Sequence, residues 1–445
     1  MEMPLKEGEI TRPKPSVTFR WIVLLFVSLP MFGNYYIYDS INPLVDIFVK
    51  QLGFTDSDIG WLNASYSVAA LLTLLIGGII IDLIGTKKSI AVFSFLCLLG
   101  AILTVFKGSF GTMVSGRVVL GLGAESLIVA VTTALAKWFK GKELSFAFGI
   151  NLTIARLASV AADNSPSWAS GVFYPHGPEA DPSWQGPLYL AVGAGVIGIA
   201  GAVIYWMLEN QAERRYALGR AGAIDKLELS QIFKFTKSYW FIVGLCLTFY
   251  SAIFPFRTFA IKFFMDTHFA VLSPDQARET AGFFNGLLPL SAMVATPLFG
   301  LLVDKVGKRA LFMFFGSVLL MPVYLIMAYT QITLWVPVIM MGIAFSLIPA
   351  VMWPSVAYIV KENRLGTAYA LMTLIQQIGF FALNLLIGEA NDFAKASAEN
   401  PGGYALGMWI FSTLGFLGLL FSYLLRKSET GPQAHGLETI TASSR

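Results

Sequence analysis

Two stretches of sequence decide the fold: positions 78–88 read GIIIDLIGTKK, and positions 300–309 read GLLVDKVGKR. Each stretch closes an apolar segment. The aspartates Asp82 and Asp304 are 222 positions apart (304 − 82), which is half of the 445-residue chain. The same offset separates the glycines of the two copies, Gly78 from Gly300 and Gly85 from Gly307. A repeated half in an apolar chain predicts two bundles of helices around a pseudo-twofold axis.

The composition sets the class of protein. Hydrophobic residues make up 56% of the chain and charged residues 13%, and the mean hydropathy is +0.67. Soluble domains carry about 25% charged residues, so this composition excludes a water-soluble protein with a large core. The two cysteines, Cys97 and Cys246, lie inside apolar runs. With three scattered histidines they predict neither a disulfide framework nor a metal site.

Apolar stretches long enough to cross a bilayer, roughly 20 residues each, recur twelve times. Their approximate bounds are 20–49, 57–82, 87–106, 111–136, 143–171, 187–208, 238–266, 278–303, 309–329, 333–360, 365–389 and 403–425. The sequence therefore predicts an all-α membrane protein of twelve transmembrane helices in two pseudo-symmetric six-helix bundles. The predicted parts are an N-terminal bundle over 1–208, a basic cytoplasmic linker over 209–237, a C-terminal bundle over 238–427 and a disordered tail over 428–445.

The distribution of Lys and Arg predicts the orientation. With the N-terminus in the cytoplasm, 23 of the 31 Lys and Arg residues fall in the tails and the cytoplasmic loops, and 5 fall on the opposite side. Cytoplasmic loops of membrane proteins carry an excess of Lys and Arg. The asymmetry therefore predicts an even number of spans with both termini in the cytoplasm.

The repeated motif predicts a cytoplasmic gate. Its glycines permit tight turns, and its aspartate can accept hydrogen bonds from the N-terminus of a neighbouring helix. The basic residues that follow can pair with acids. These are Lys87 and Lys88 in the first copy and Lys308 and Arg309 in the second. Such contacts can latch the bundles in one state and release them in another. The alternative is an ordinary inner loop that obeys the positive-inside rule.

Two charges lie near the middle of the membrane. Glu125 and Arg156 fall about halfway along the fourth and fifth spans, where an unpaired charge costs at least ~2.5–3.5 kcal/mol. One interpretation is a structural ion pair. The other is a pair of substrate anchors, because Arg156 offers a planar fork to a carboxylate and Glu125 offers acceptors to an ammonium group.

Further candidates line the same pathway. Asp39 and Arg257 lie at similar depth in the outer halves of the first and seventh spans, and they can form an outer gate pair or contact a ligand. Tyr250, Trp353 and Gln377 would give the cavity an uncharged wall, and Gln377 lies 221 positions (377 − 156) after Arg156. The sequence has no P-loop, HExxH or Gly-x-Ser-x-Gly motif. It therefore predicts neither ATP drive nor an enzyme, and no cofactor.

Both copies of the repeated motif resemble the loop signature of the major facilitator superfamily. A narrower resemblance, to the branch that contains the lysosomal dipeptide transporters, rests on seven segments. They are GRVVLGLGAESL at 116–127, WFKGKEL at 138–144, IARLAS at 154–159, IFPF at 253–256, LLVDK at 301–305, WPSVA at 353–357 and LGTAY at 365–369. Arg257 and the N-terminal tail, which has no acidic dileucine signal, depart from that branch and favour a bacterial relative.

The resemblance implies a membrane transporter that moves small peptides, dipeptides above all, by alternating access and facilitated uniport. Alternatives are a proton-coupled carrier of organic anions or sugars, with Glu125 or Asp39 as the proton site, and a non-transporting receptor or partner subunit. The expected partners are a dipeptide and the lipid bilayer, with room for a single-span accessory subunit and no nucleic acid. A bacterial inner membrane is favoured, or the lysosomal membrane in a eukaryote.

Overall fold

A computed structural model of the chain describes residues 13, 15–139, 143–216, 235–361, 364–432 and 434–441. Twelve long helices form two groups of six, which we call the N-bundle and the C-bundle. The N-bundle contains α1 (Val17–Asp39), α2 (Asp56–Ile84), α3 (Thr86–Phe106), α4 (Phe110–Phe139), α5 (Leu144–Asp163) and α6 (Gln185–Arg215). The C-bundle contains α7 (Lys237–Thr267), α8 (Pro274–Val306), α9 (Arg309–Tyr329), α10 (Trp335–Ile359), α11 (Leu365–Phe393) and α12 (Ala405–Glu429).

The long helices match the predicted membrane spans. Eleven helices in the described part of the chain are long and apolar enough to cross a membrane, and α2, which bends by 54° near residue 75, makes twelve. This confirms the predicted all-α membrane fold class. We call the face where α1 begins and α12 ends the inner face, and the opposite one the outer face. Short helical turns at 42–52 and 165–173 follow α1 and α5 at the outer face.

The repeated glycines perform the same task in both halves. Gly85 ends α2 at φ 81°, and Gly307 ends α8 at φ 72°. Each donates its N–H to the carbonyl four residues earlier, at 2.9 Å and 2.8 Å. A side chain is strained at such φ values, so a glycine is needed for the turn. Gly300 lies within α8 rather than at a turn, and a Cβ there would meet no atom within 4 Å.

The outer halves of the bundles are packed together. One apolar cluster contains the outer residues Ile41, Leu44 and Leu62 of the N-bundle and the core of the C-bundle. A Cβ at Gly60 on α2 would lie 2.4 Å from the backbone oxygen of Asn384 on α11. The second cluster contains residues of the N-bundle. The bundles therefore close against each other on the outer side.

Two predicted boundaries change. Helix α6 continues to Arg215, so the first residues of the linker predicted to start at 209 are helical. Residues 217–234 of that linker lie outside the described residues. The tail predicted to be disordered from 428 is packed up to residue 441 where it is described. There Leu437 is fully buried, and its backbone oxygen accepts a hydrogen bond from the Arg309 N–H at 2.9 Å. The tail is polar overall, but one buried leucine and backbone hydrogen bonds hold it on the start of α9.

Candidate functional site

A cavity of about 200 Å³ lies between the two bundles near the middle of the membrane. Both bundles contribute aromatic and amide side chains to the cavity wall. The two charged side chains of the wall both come from the N-bundle. The lining residues are Asn34, Tyr35, Tyr38, Tyr66, Glu125, Ile128 and Arg156 from the N-bundle, and Tyr250, Phe254, Trp353, Thr373, Gln376, Gln377 and Phe380 from the C-bundle. Five of the residues selected from the sequence meet here: Glu125, Arg156, Tyr250, Trp353 and Gln377.

Glu125 joins the two bundles. Its Oε1 accepts a hydrogen bond from the Tyr66 hydroxyl at 3.2 Å and another from the Gln377 amide nitrogen at 2.8 Å. Tyr66 lies on α2 in the N-bundle, whereas Gln377 lies on α11 in the C-bundle. No hydrogen bond is described for the second oxygen, Oε2, of this cavity-lining carboxylate. The carboxylate therefore retains acceptor capacity toward the cavity.

Arg156 has no acidic partner among the described residues. Its guanidinium lies over the rings of Tyr35 and Phe345, 5.7 Å and 5.4 Å from their centroids. The faces of the two aromatic rings attract the guanidinium through cation–π interactions. The Nη1 atom is buried and has no hydrogen-bond partner. Glu125 and Arg156 thus share a cavity without forming the structural ion pair that was one interpretation of the sequence.

The C-bundle wall is aromatic and polar but uncharged. The Trp353 indole N–H donates to the Tyr250 hydroxyl at 2.8 Å, and the Tyr369 hydroxyl donates to the Trp353 carbonyl at 3.1 Å. These bonds fix the ring of Trp353 beside the cavity. A rigid aromatic surface of this kind can pack against varied side chains without demanding a particular polar group.

Asp39 and Arg257 lie outside the cavity, in a buried network on its outer side. Arg257 donates to Asp39 at 3.3 Å and to Asp163, at the end of α5, at 2.7 Å. The Asn42 amide bridges the two carboxylates at 3.3 Å and 3.1 Å, and the Asn285 amide donates to Asp163 at 3.0 Å. The network joins the two bundles, and neither Asp39 nor Arg257 is among the residues that line the cavity.

Two further ion pairs extend this outer gate. Arg278 on α8 binds Asp46 at 2.6 Å, and Lys262 on α7 binds Asp56 at 3.2 Å. In each ion pair that joins the bundles, the carboxylate belongs to the N-bundle and the basic side chain to the C-bundle, while Lys50 and Asp266 pair within their own bundles. Asp392 on α11 reverses the direction, because it accepts the backbone N–H groups of Asp56 and Ser57 at 2.9 Å and 2.8 Å. It thereby caps the N-terminus of α2 from the opposite bundle.

Arg117 also contributes, through Asn63, to the contacts that join the bundles on the outer side. It is 1% exposed, and it donates to the carbonyl of Tyr38 at 3.2 Å and to the Asn63 side chain at 2.5 Å. Asn63 in turn donates to Thr258 on α7 at 3.0 Å. Arg117 is thus a packing residue that stabilises the end of α1, and it does not line the cavity.

In the described part of the chain, the contacts of the repeated motifs at the inner face stay within their own bundles. Asp82 and Lys88 are exposed, while Lys87 donates to Glu213 on α6 at 2.5 Å. In the second copy, Arg309 binds Asp304 at 2.7 Å and the tail carbonyl of Ile440. Asp304 remains 60% exposed. Lys308, at φ 50°, supplies the turn into α9.

Sequence reasoning missed most of the gate. Lys262 and Arg278 are two of the five basic residues that the sequence assigns only to the side opposite the cytoplasm, yet both are buried between the bundles, at 7% and 1% exposure. The available signal was that each lies within five residues of the end of a predicted membrane span. A larger cavity of about 720 Å³ opens at the outer face of the C-bundle. Its described lining includes His268 but no Lys, Arg or carboxylate.

Comparison with known proteins agrees with this architecture. The model of the Major Facilitator Superfamily matches residues 24–384. The chain is 30% identical over 378 residues to the lysosomal dipeptide transporter MFSD1 of Danio rerio, covering 84% of this chain and 81% of the relative. It is 28% identical over 419 residues to the Homo sapiens protein of the same name, and the match covers 93% of this chain and 87% of the relative.

Solved structures share the fold. A bacterial homolog to the human lysosomal transporter Spinster, in an inward-facing and unoccupied conformation, superposes with a TM-score of 0.71 at 17% identity. The match covers 93% of this chain and 98% of that one. With twelve helices in two bundles and a repeated inner motif, the chain is a multi-pass membrane transporter and belongs to the Major Facilitator Superfamily.

Proposed function

We propose that this protein transports dipeptides across its membrane by alternating access, as a facilitated uniporter. The observation that carries the proposal is the state of the two charges in the cavity. Arg156 has an unpaired buried Nη1, and Glu125 has an oxygen free toward the same cavity. The relatives named as dipeptide transporters support the same substrate class.

A zwitterion fits these two anchors. A dipeptide carries a carboxylate that can accept from the Arg156 guanidinium and an ammonium that can donate to Glu125. Without a ligand, neither charged side chain has a partner of opposite charge among the described residues, and this is energetically unfavourable inside the membrane. A ligand with both charges satisfies both anchors at once, whereas an organic anion or a sugar would leave Glu125 without a cationic partner.

The arrangement of gates supports alternating access. Ion pairs and a helix cap hold the bundles together on the outer side of the cavity, while Asp82 and Asp304 at the inner face are largely exposed. This is the arrangement of an inward-open state. In the outward-open state, we propose, the outer contacts break and the two aspartates latch the inner ends. We also propose cytoplasmic termini, in a bacterial inner membrane or, in a eukaryotic cell, the lysosomal membrane.

Uptake by vesicles made from purified protein tests the proposal. We expect saturable, trans-stimulated uptake of radiolabelled alanyl-alanine that competes with other dipeptides and changes little when a proton gradient is imposed. Uptake driven by a proton gradient would replace uniport by symport. Transport of glucuronate or glucose in place of alanyl-alanine would refute the peptide assignment, and ligand binding without any flux would indicate a receptor.

A further inference from the structure

One side chain in the cavity has a polar atom that the two anchors leave unexplained. Gln377 is 2% exposed, and its amide nitrogen donates to Glu125 at 2.8 Å. Its carbonyl oxygen, Oε1, is buried and has no hydrogen-bond partner. Because the carboxylate of Glu125 only accepts hydrogen bonds, it holds the nitrogen toward itself and leaves Oε1 without a donor.

The position of Gln377 in the repeat matches that of Arg156. The two residues are 221 positions apart (377 − 156), one fewer than the offset of the repeated motifs. They lie on α5 and α11, which are counterparts in the two bundles. Arg156 presents an unpaired donor, Nη1, and Gln377 presents an unpaired acceptor, Oε1. Near-equivalent places in the two halves thus offer opposite hydrogen-bonding polarity.

We propose that Gln377 Oε1 binds the ammonium group of the substrate together with Glu125. The inference rests on the proposed function and deepens it. An ammonium has three donors and no acceptor, so it can donate to Glu125 Oε2 and Gln377 Oε1 at the same time. An uncharged hydroxyl could reach Gln377, but it would leave the neighbouring carboxylate without a cation.

The two ligands belong to different bundles, and this has a consequence for transport. Glu125 lies on α4 of the N-bundle, and Gln377 lies on α11 of the C-bundle. An ammonium held by both contributes its full binding free energy only in states where the bundles approach at this level. A ligand shifts a conformational equilibrium through its differential affinity for the states. Gln377 therefore makes the substrate stabilise states in which α4 and α11 approach at this level, as they do in this structure.

Binding of free and N-acetylated alanyl-alanine to the purified full-length chain tests the inference. Gln377→Leu removes the acceptor Oε1 together with the amide N–H that donates to Glu125. Gln376→Leu is the matched control, because Gln376 lines the same cavity and its amide oxygen accepts from the Cys246 thiol at 3.9 Å. Gln377→Met is a second variant in case the first does not fold. A retained Kd for the N-acetyl peptide reports an intact site.

We expect Gln377→Leu to weaken alanyl-alanine by about tenfold to a hundredfold, as for loss of a hydrogen bond to a charged group. The N-acetyl peptide, which has no ammonium, should change less than about threefold, and Gln376→Leu should leave the ratio of the two affinities unaltered. Equal weakening of both peptides by Gln377→Leu, or the same change of ratio in Gln376→Leu, overturns the inference. Failure of the native protein to bind or move alanyl-alanine refutes the proposed function instead.

Discussion

Removal of the Asp392 carboxylate should open the outer side of the protein. Asp392 accepts two N–H groups of the first turn of α2, at 2.9 Å and 2.8 Å, from across the bundle interface. These hydrogen bonds exist only while the outer ends of α2 and α11 are together. In the proposed cycle, the substitution Asp392→Ala should therefore destabilise the inward-open state and leave the outward-open state unaffected.

The size of the shift follows from the two contacts. A hydrogen bond to a charged group contributes about 1.5–3 kcal/mol when it is buried, and a carboxylate at a helix N-terminus adds about 0.3–1 kcal/mol. Asp392 is half-buried, and water replaces part of what is lost. A net loss of about 2 kcal/mol corresponds to roughly a thirtyfold change in the equilibrium between the two states.

A distance measurement across the outer face is the appropriate assay. Lys107 beside α3 and Val271 after α7 are exposed residues of opposite bundles at the outer face, and spin labels at these positions report its width. Both native cysteines are buried and can be replaced. We expect Asp392→Ala to add a population with a longer distance between the labels.

Asp58→Ala is the matched control for this measurement. Asp58 belongs to the same helix end, but its carboxylate accepts the Thr55 N–H of its own bundle at 2.9 Å. Its loss weakens the cap of α2 equally in both states, so the distance distribution should stay unchanged while thermal stability falls. The reasoning fails if Asp392→Ala behaves like this control, with lower stability and no wider population.

Three other predictions test the anchors, the inner motifs and the tail. Arg156→Ala should weaken alanyl-alanine by about tenfold to a hundredfold but change the affinity for its C-terminal amide little; equal losses in calorimetric titrations would contradict a carboxylate anchor. Asp82→Asn and Asp304→Asn should lower the maximal flux more than the substrate affinity, and a pure affinity loss in vesicle uptake would argue against the latch. Leu437→Asp should lower the unfolding temperature, because burial of a leucine contributes about 1.5–3 kcal/mol; an unaltered melting curve would show that the tail contact does not stabilise the protein.

The sequence predicted the elements that depend on local pattern. Apolar length predicted the spans, and the repeated glycines predicted the two turns that Gly85 and Gly307 form at positive φ. It also placed Glu125 and Arg156 at the depth of the cavity, because a helix rises about 1.5 Å per residue. Spans, turns and the depth of a residue can be predicted without knowing which helices pack against each other.

The contacts between the bundles could not be predicted in the same way. Asp163 closes α5, and nothing in its surrounding sequence indicates that Arg257, 94 positions later, lies 2.7 Å away. Likewise, the partners of Asp392 are backbone groups 335 and 336 positions away. Almost every residue has a backbone N–H, so the residue type does not indicate which N–H will be bound. Such pairs depend on how the two bundles dock, which the spacing within one helix does not determine.

The divergence of the two halves has a physical reason at the gate. Two faithful repeats around a pseudo-twofold axis would place equivalent residues opposite each other, and equal charges there would repel in a medium of low dielectric constant. At the repeat offset of 222, the counterpart of Asp39 is Ile261 and the counterpart of Arg257 is Tyr35, both uncharged. An outer gate of ion pairs therefore requires that the halves differ where they pair, with a carboxylate facing a basic group across the interface. The described contacts of the inner motifs lie within one bundle, so this constraint does not act on them in this state.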